Sequence, residues 1–245
     1  MNKIMKRFIG YYDYTVVLTF LSLISSVYGI TCAVHDRYKT AILCLAISGI
    51  LDAFDGRVAR TKKNRTDDER AFGIQLDSLC DIICFGVFPA LICYLIGMRG
   101  PIGLTIVFLY CLCALIRLAY FNVLEANRQK EEQGGCNKVY HGLPVTSIAY
   151  ILPLTFWLQF ILPADKPYIF IILLHVVMAL TAVLFVLDFP LPKPGVKAIL
   201  LMAVLVAVTV GIIFAYTKLR IPKERDHDND DKPSHPVTAI YHPGI

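Results

Sequence analysis

The sequence predicts an all-α polytopic membrane protein, a helical bundle of about seven transmembrane helices within a range of roughly six to eight. Three observations carry that expectation. Of 245 residues, 56% are hydrophobic and only 18% charged, and the mean hydropathy is +0.60, well beyond ordinary soluble usage. The apolar residues gather in runs close to the ~20 residues that a bilayer-spanning helix needs. Lys and Arg are shared unevenly between the short connections, as cytoplasmic and outer loops require. The same long Leu/Ile/Val-rich runs exclude a disordered chain, a small disulfide scaffold and a collagen-like repeat.

Taken in order, the runs place spans at Tyr14 to Val34, Thr40 to Val58, Phe72 to Met98, Pro101 to Leu124, Val145 to Leu162, Tyr168 to Phe189 and Val196 to Thr217. Basic and aromatic residues before the first span, Lys3, Lys6, Arg7, Phe8, Tyr11, Tyr12 and Tyr14, suit an interfacial anchor. No A-x-A site follows them, so they do not read as a cleavable signal. Pro144 and Pro153 mark helix ends or kinks. His175, alone in an apolar span, reads as a packed side chain.

With the N-terminus inside, the inner loops hold Arg57, Arg60, Lys62, Lys63, Arg65, Arg70, Arg128, Lys130, Lys138 and Lys193. The outer loops hold only Arg37, Lys39, Arg99 and Lys166. One conflict stays open: an odd number of spans puts the basic Lys218, Arg220, Lys223 and Arg225 outside, so the span count and the side of the tail are not fixed. Residues 1–217 read as one transmembrane domain, and 218–245, charged and proline-rich, as a disordered tail. Glu125 to Lys138, polar with Gly134 and Gly135, reads as a flexible cytoplasmic loop. The cysteines Cys32, Cys44, Cys80, Cys84, Cys93, Cys111, Cys113 and Cys136 lack zinc-type spacing and read mostly as small buried hydrophobes.

Chemistry concentrates between Asp52 and Asp81. Asp52, Asp55, Gly56, Ala59 and Arg60 share one helical face, and Gly73, Asp77 and Asp81 share one on the next helix. Two helices joined by a basic loop can therefore aim four carboxylates at one small volume. Intramembrane ionisable groups point to function by default. Four like charges cannot share such a volume unpaired, and a hard divalent cation with oxygen ligands, Mg²⁺ or Mn²⁺, compensates them. Gly56, Ala59 and Gly73 leave room for something bulky, and the fork of Arg60 matches phosphate oxygens. Buried ion pairs between closely packed helices are the plainer reading of the same residues.

These residues resemble the CDP-alcohol phosphatidyltransferase family, whose signature D-x2-D-G-x2-A-R, spacer, G-x3-D-x3-D is matched at every fixed position by Asp52, Asp55, Gly56, Ala59, Arg60, Gly73, Asp77 and Asp81. The spacer Thr61 to Phe72 is longer than usual. Arg70 stands where a Ser or Thr is common before Gly73, a place Thr66 could take. Leu76 to Ala90, Arg117 to Val123 and His141 to Thr146 are similar to the phosphatidylserine synthase branch in bacteria.

The resemblance implies transfer of the phosphatidyl group from CDP-diacylglycerol to L-serine, giving phosphatidylserine and CMP. It implies two divalent ions, Mg²⁺ or Mn²⁺, on Asp52, Asp55 and Asp77. Asp81 is implied as general base, with possible metal contact, and Gly56, Ala59, Arg60, Gly73 and Thr66 as CDP-lipid contacts. A homodimer in a bacterial cell membrane, its site facing the cytoplasm, is implied as well; nucleic acid is not an expected partner. Arg117, inside the fourth span, is the candidate partner of the serine carboxylate, with Asn122 and His141 as lesser candidates; a structural pair with an aspartate is the competing role for Arg117. Glycerol 3-phosphate and inositol phosphate are alternative acceptors, although few basic residues besides Arg117 lie in the spans. An ion site in a cation transporter is the alternative from another class, but no repeated halves are recognisable.

Overall fold

The computed structural model describes residues 9–59, 61–62, 66–130, 139–159, 162–163, 166–192 and 211. The last expected span, Val196 to Thr217, the tail and Arg60 therefore lie outside the described residues, Gly211 apart. Each earlier span falls on helix. A 3₁₀ turn, Tyr14–Val16, leads into α1, Val17–Val34; α2 is Tyr38–Ala59 and α3 is Asp67–Asp81. A π-helical turn, Ile82–Val87, joins α3 to α4, Phe88–Ile96, and α5 is Pro101–Lys130. A second 3₁₀ turn, Val145–Ser147, opens α6, Ile148–Leu158, and α7 is Pro167–Val186. Two short strands, β1 (Val139–His141) and β2 (Pro190–Pro192), pair antiparallel with Tyr140 opposite Leu191.

Among the described residues, four helical stretches are long and apolar enough to cross a membrane: Tyr14–Val34, Asp67–Ile96, Pro101–Asn127 and Pro167–Val186. The chain is thus an integral membrane protein, essentially all-helical among the described residues. Helix α2 has the length but carries Lys39, Asp52, Asp55 and Arg57. The helix expected to run to Leu162 is shorter, the apolar stretch ending at Leu158.

Small residues bring α1 and α2 together, as expected where lipid removes most of the hydrophobic drive between helices. Ser22 Oγ donates to the Ser48 carbonyl at 3.2 Å, Ser25 Oγ to that of Cys44 at 3.0 Å, and the Ser26 and Ser48 hydroxyls meet at 2.9 Å. A turn further, a Cβ on Gly29 would lie 2.3 Å from Phe88 Cζ and 2.8 Å from Cys44 Cβ. Only glycine lets α1, α2 and α4 meet there.

The break after Asp81 has a readable cause. Phe88 N–H bonds back five residues to Ile83, and Pro89 has no N–H to offer the preceding turn. In plain helix Pro89 would serve the Phe85 carbonyl. That acceptor is taken instead by Tyr110 Oη of α5 at 2.6 Å, and Cys111 Sγ lies 3.8 Å from the Gly86 carbonyl. Tyr110 is fully buried, its ring 5.4 Å from that of Phe185 on α7. The kink is thus held from two other helices.

Candidate active site

Three of the four expected carboxylates come together in one cluster. One carboxylate oxygen each of Asp52, Asp55 and Asp77 lie within 4.8 Å of one another, brought from the C-terminal half of α2 and the second half of α3. Asp52 and Asp81 are within hydrogen-bonding reach, as are Asp55 and Asp77. Spacing explains the convergence: Asp52 and Asp55 are i, i+3 on α2, and Asp77 and Asp81 are i, i+4 on α3. Asp81 is the last residue of α3, immediately before the π turn, a local geometry frequent at functional sites.

Helix α1 adds a residue that the sequence pattern did not single out. Thr19, itself buried, donates its hydroxyl to Asp55 Oδ2 at 3.2 Å. Asp55 is the most enclosed of the cage-forming three, at 7% exposed. A hydroxyl aimed at one oxygen orients the carboxylate, as outer partners of metal ligands commonly do.

The remaining candidates scatter around this centre. Gly56 follows Asp55, Gly73 precedes Asp77 by one turn, and Ala59 ends α2. Thr66 caps α3: its hydroxyl oxygen accepts the Glu69 N–H at 3.2 Å, and Glu69 Oε2 accepts the Thr66 N–H at 3.1 Å. This capping box, with Asp67, Asp68 and Glu69 in the first turn, favours helix initiation. Asn122 Oδ1 accepts from Ser78 Oγ at 2.7 Å, tying α5 to the residue after Asp77.

Arg117 is buried on α5, and its Nη2 donates to the Gly142 carbonyl at 3.3 Å. Gly142 needs its lack of a side chain, since φ is +74° and a Cβ would lie 2.7 Å from the Leu187 carbonyl. Arg117 thus reaches the loop just after His141, the last residue of β1. His175 Nδ1 contacts the carbonyl of Ile171 in its own helix at 2.7 Å.

Three buried or half-buried carboxylates with oxygen donors alone fit a hard divalent ion and suit thiol-loving metals poorly. A cage of three carboxylates shared by α2 and α3, in a chain with helices apolar enough to cross a membrane, defines the class of the molecule. The chain belongs to the CDP-alcohol phosphatidyltransferase family, whose model matches residues 15–219.

Among curated relatives it is 38% identical over 109 residues to the CDP-diacylglycerol–serine O-phosphatidyltransferase of Mycobacterium tuberculosis, covering 44% of this chain and 37% of that protein. To the Saccharomyces cerevisiae protein of the same name it is 41% identical over 106 residues, 43% of this chain and 37% of that one. It is 32% identical over 130 residues to the archaetidylserine synthase of Methanothermobacter thermautotrophicus, 53% of this chain and 51% of that one. The chain thus spans well under two thirds of the length of these relatives.

Proposed function

We propose that this protein transfers the phosphatidyl group of CDP-diacylglycerol to the hydroxyl of L-serine, producing phosphatidylserine and CMP. The observation that carries the proposal is the convergence of Asp52, Asp55 and Asp77 within 4.8 Å from two motifs with the family's full spacing. The names of the relatives support serine as the acceptor.

In this reading Asp52, Asp55 and Asp77, with Asp81 at the edge, hold two Mg²⁺ or Mn²⁺ ions, which when bound neutralise charge on the pyrophosphate and on the departing CMP. Gly56, Ala59 and Gly73 give the CDP-lipid backbone-close access, and Arg60 and Thr66 contact its polar part. Asp81 accepts the serine hydroxyl proton as that oxygen bonds to the lipid-side phosphorus and the phosphorus–oxygen bond to CMP breaks. Thr19 keeps Asp55 oriented throughout. Arg117 carries a positive charge at membrane depth to meet the serine carboxylate, with Asn122 and His141 as neighbours in that task.

The wider frame follows the same reading: residues 1–217 as one domain of about seven spans, 218–245 as a C-terminal tail apart from it, and a homodimer in a bacterial cell membrane with the cage facing the cytoplasm. The test is CMP release from CDP-diacylglycerol by purified protein in detergent with Mn²⁺ or Mg²⁺, comparing serine, glycerol 3-phosphate, inositol phosphate and no acceptor. Release requiring both serine and metal is expected. Release with a different acceptor would move the protein to another branch, and no release at all would remove the transferase reading.

A further inference from the structure

The segment before α1 is fastened to the connection between the two aspartate-bearing helices. Lys62 Nζ lies 2.8 Å from Asp13 Oδ2 and 3.1 Å from Glu69 Oε2, the three side chains about a fifth to a quarter exposed. The other oxygen of Asp13 accepts the Thr15 N–H at 2.8 Å and the Thr15 hydroxyl, capping the turn that starts α1. Glu69 belongs to the capping box that starts α3. Tyr14 Oη and Thr61 Oγ1 meet at 3.0 Å, and the Tyr11 ring packs edge-on against Phe72 at 5.7 Å. One ammonium thus joins the starts of α1 and α3 just beyond the end of α2.

Each of those helices then delivers a cage group. Six residues beyond Asp13, Thr19 grips Asp55, and eight residues beyond Glu69 stands Asp77. Helices are stiff on this scale, so an offset at their first turn is carried to the residues two turns on. We propose that Lys62 is a positioning residue for the carboxylate cage, setting the register of α1 and α3 against α2 through Asp13 and Glu69. The proposal rests on the metal-dependent reading above and adds to it a determinant outside the family signature, in the lengthened spacer.

The charges persist under working conditions. Burial alone would raise the Asp13 carboxyl, but Lys62 and Thr15 hold it down to about 2, and Asp13 and Glu69 push the Lys62 ammonium up. A depressed carboxyl contributes above its ordinary pKa near 3.8 and loses that contribution as pH falls toward 2. A raised ammonium contributes below 10.5 and loses it above. The triad therefore keeps its charges across the neutral range.

The test uses the full chain in detergent, with Mn²⁺ affinity measured by electron paramagnetic resonance without lipid substrate, alongside the metal dependence of CMP release. Lys62→Gln, one bond shorter, keeps N–H donors but not the charge. It is expected to weaken Mn²⁺ binding about tenfold, the lower range for outer partners of metal ligands, and to raise the half-saturating metal in step, with kcat at saturating metal changed less than about threefold. Lys62→Arg is expected to restore both. Wild-type Mn²⁺ affinity in Lys62→Gln, or affinity left weakened in Lys62→Arg, would overturn the positioning role while leaving the function intact. A wild type that binds no Mn²⁺ would overturn both.

Discussion

The most apolar 18-residue segments of two long helical stretches, Asp67–Ile96 and Pro101–Asn127, are equally apolar, yet 50% of the first is buried inside the molecule and 22% of the second. The first carries Asp77 and Asp81, turns through a π segment, and sends Cys84, Phe85 and Phe88 into the core. The second turns Ile102, Leu104, Phe108 and Leu115 outward and commits mainly Tyr110, Ala114 and Arg117 inward. Hydropathy identifies a span but says nothing of where it sits. Position is set by the residues that break the apolar pattern: carboxylates, a proline after a glycine, a buried tyrosine hydroxyl.

That contrast orders the expected effects of substitution. Asp55→Asn should be the most damaging to function, weakening Mn²⁺ binding by more than about a hundredfold, beyond the loss of an outer partner, and removing metal-dependent CMP release. Gly29→Ala forces a methyl to within 2.3 Å of Phe88 Cζ and 2.8 Å of Cys44 Cβ. It should cost about 1–3 kcal/mol as overpacking, read as a lower unfolding temperature in detergent. Tyr110→Phe leaves the buried Phe85 carbonyl without its donor and should cost about 1–2 kcal/mol by the same measurement. Phe108→Leu, on the outward face of α5 at 65% exposed, should stay within about 0.5 kcal/mol. A Phe108 effect as large as that of Tyr110 would break the comparison between the buried and peripheral spans.

Much of this was legible in the sequence because the relevant signals are local. The spacing of Asp52, Asp55, Asp77 and Asp81 dictates which helix faces carry them, and the apolar runs locate the helices to within a few residues. What escaped depends on contacts between distant segments. Thr19 is one of several hydroxyls on α1, with Ser22, Ser25 and Ser26, and only the packing of α1 on α2 decides which meets a carboxylate. The π turn needs Pro89 and Tyr110 together, residues on different helices. Thr66, expected as a substrate contact, is seen capping α3, and the Thr66–Glu69 pair in fact carries the S/T-x-x-E pattern of a capping box. Ser78 and Asn122 lie far apart in sequence, and their mutual hydrogen bond requires α3 and α5 to be neighbours. The pairing of Asp13 with Lys62 spans a whole helical hairpin.

The most direct test of the account is Asp81→Asn, assayed for both Mn²⁺ binding and CMP release with serine. A base at the edge of a cage formed by Asp52, Asp55 and Asp77 predicts that Mn²⁺ binding is retained, weakened by no more than about tenfold, and turnover lower by about a thousandfold, within the range for loss of a general base. Normal turnover would contradict the account, because the cage would then be working without the proton acceptor assigned to it.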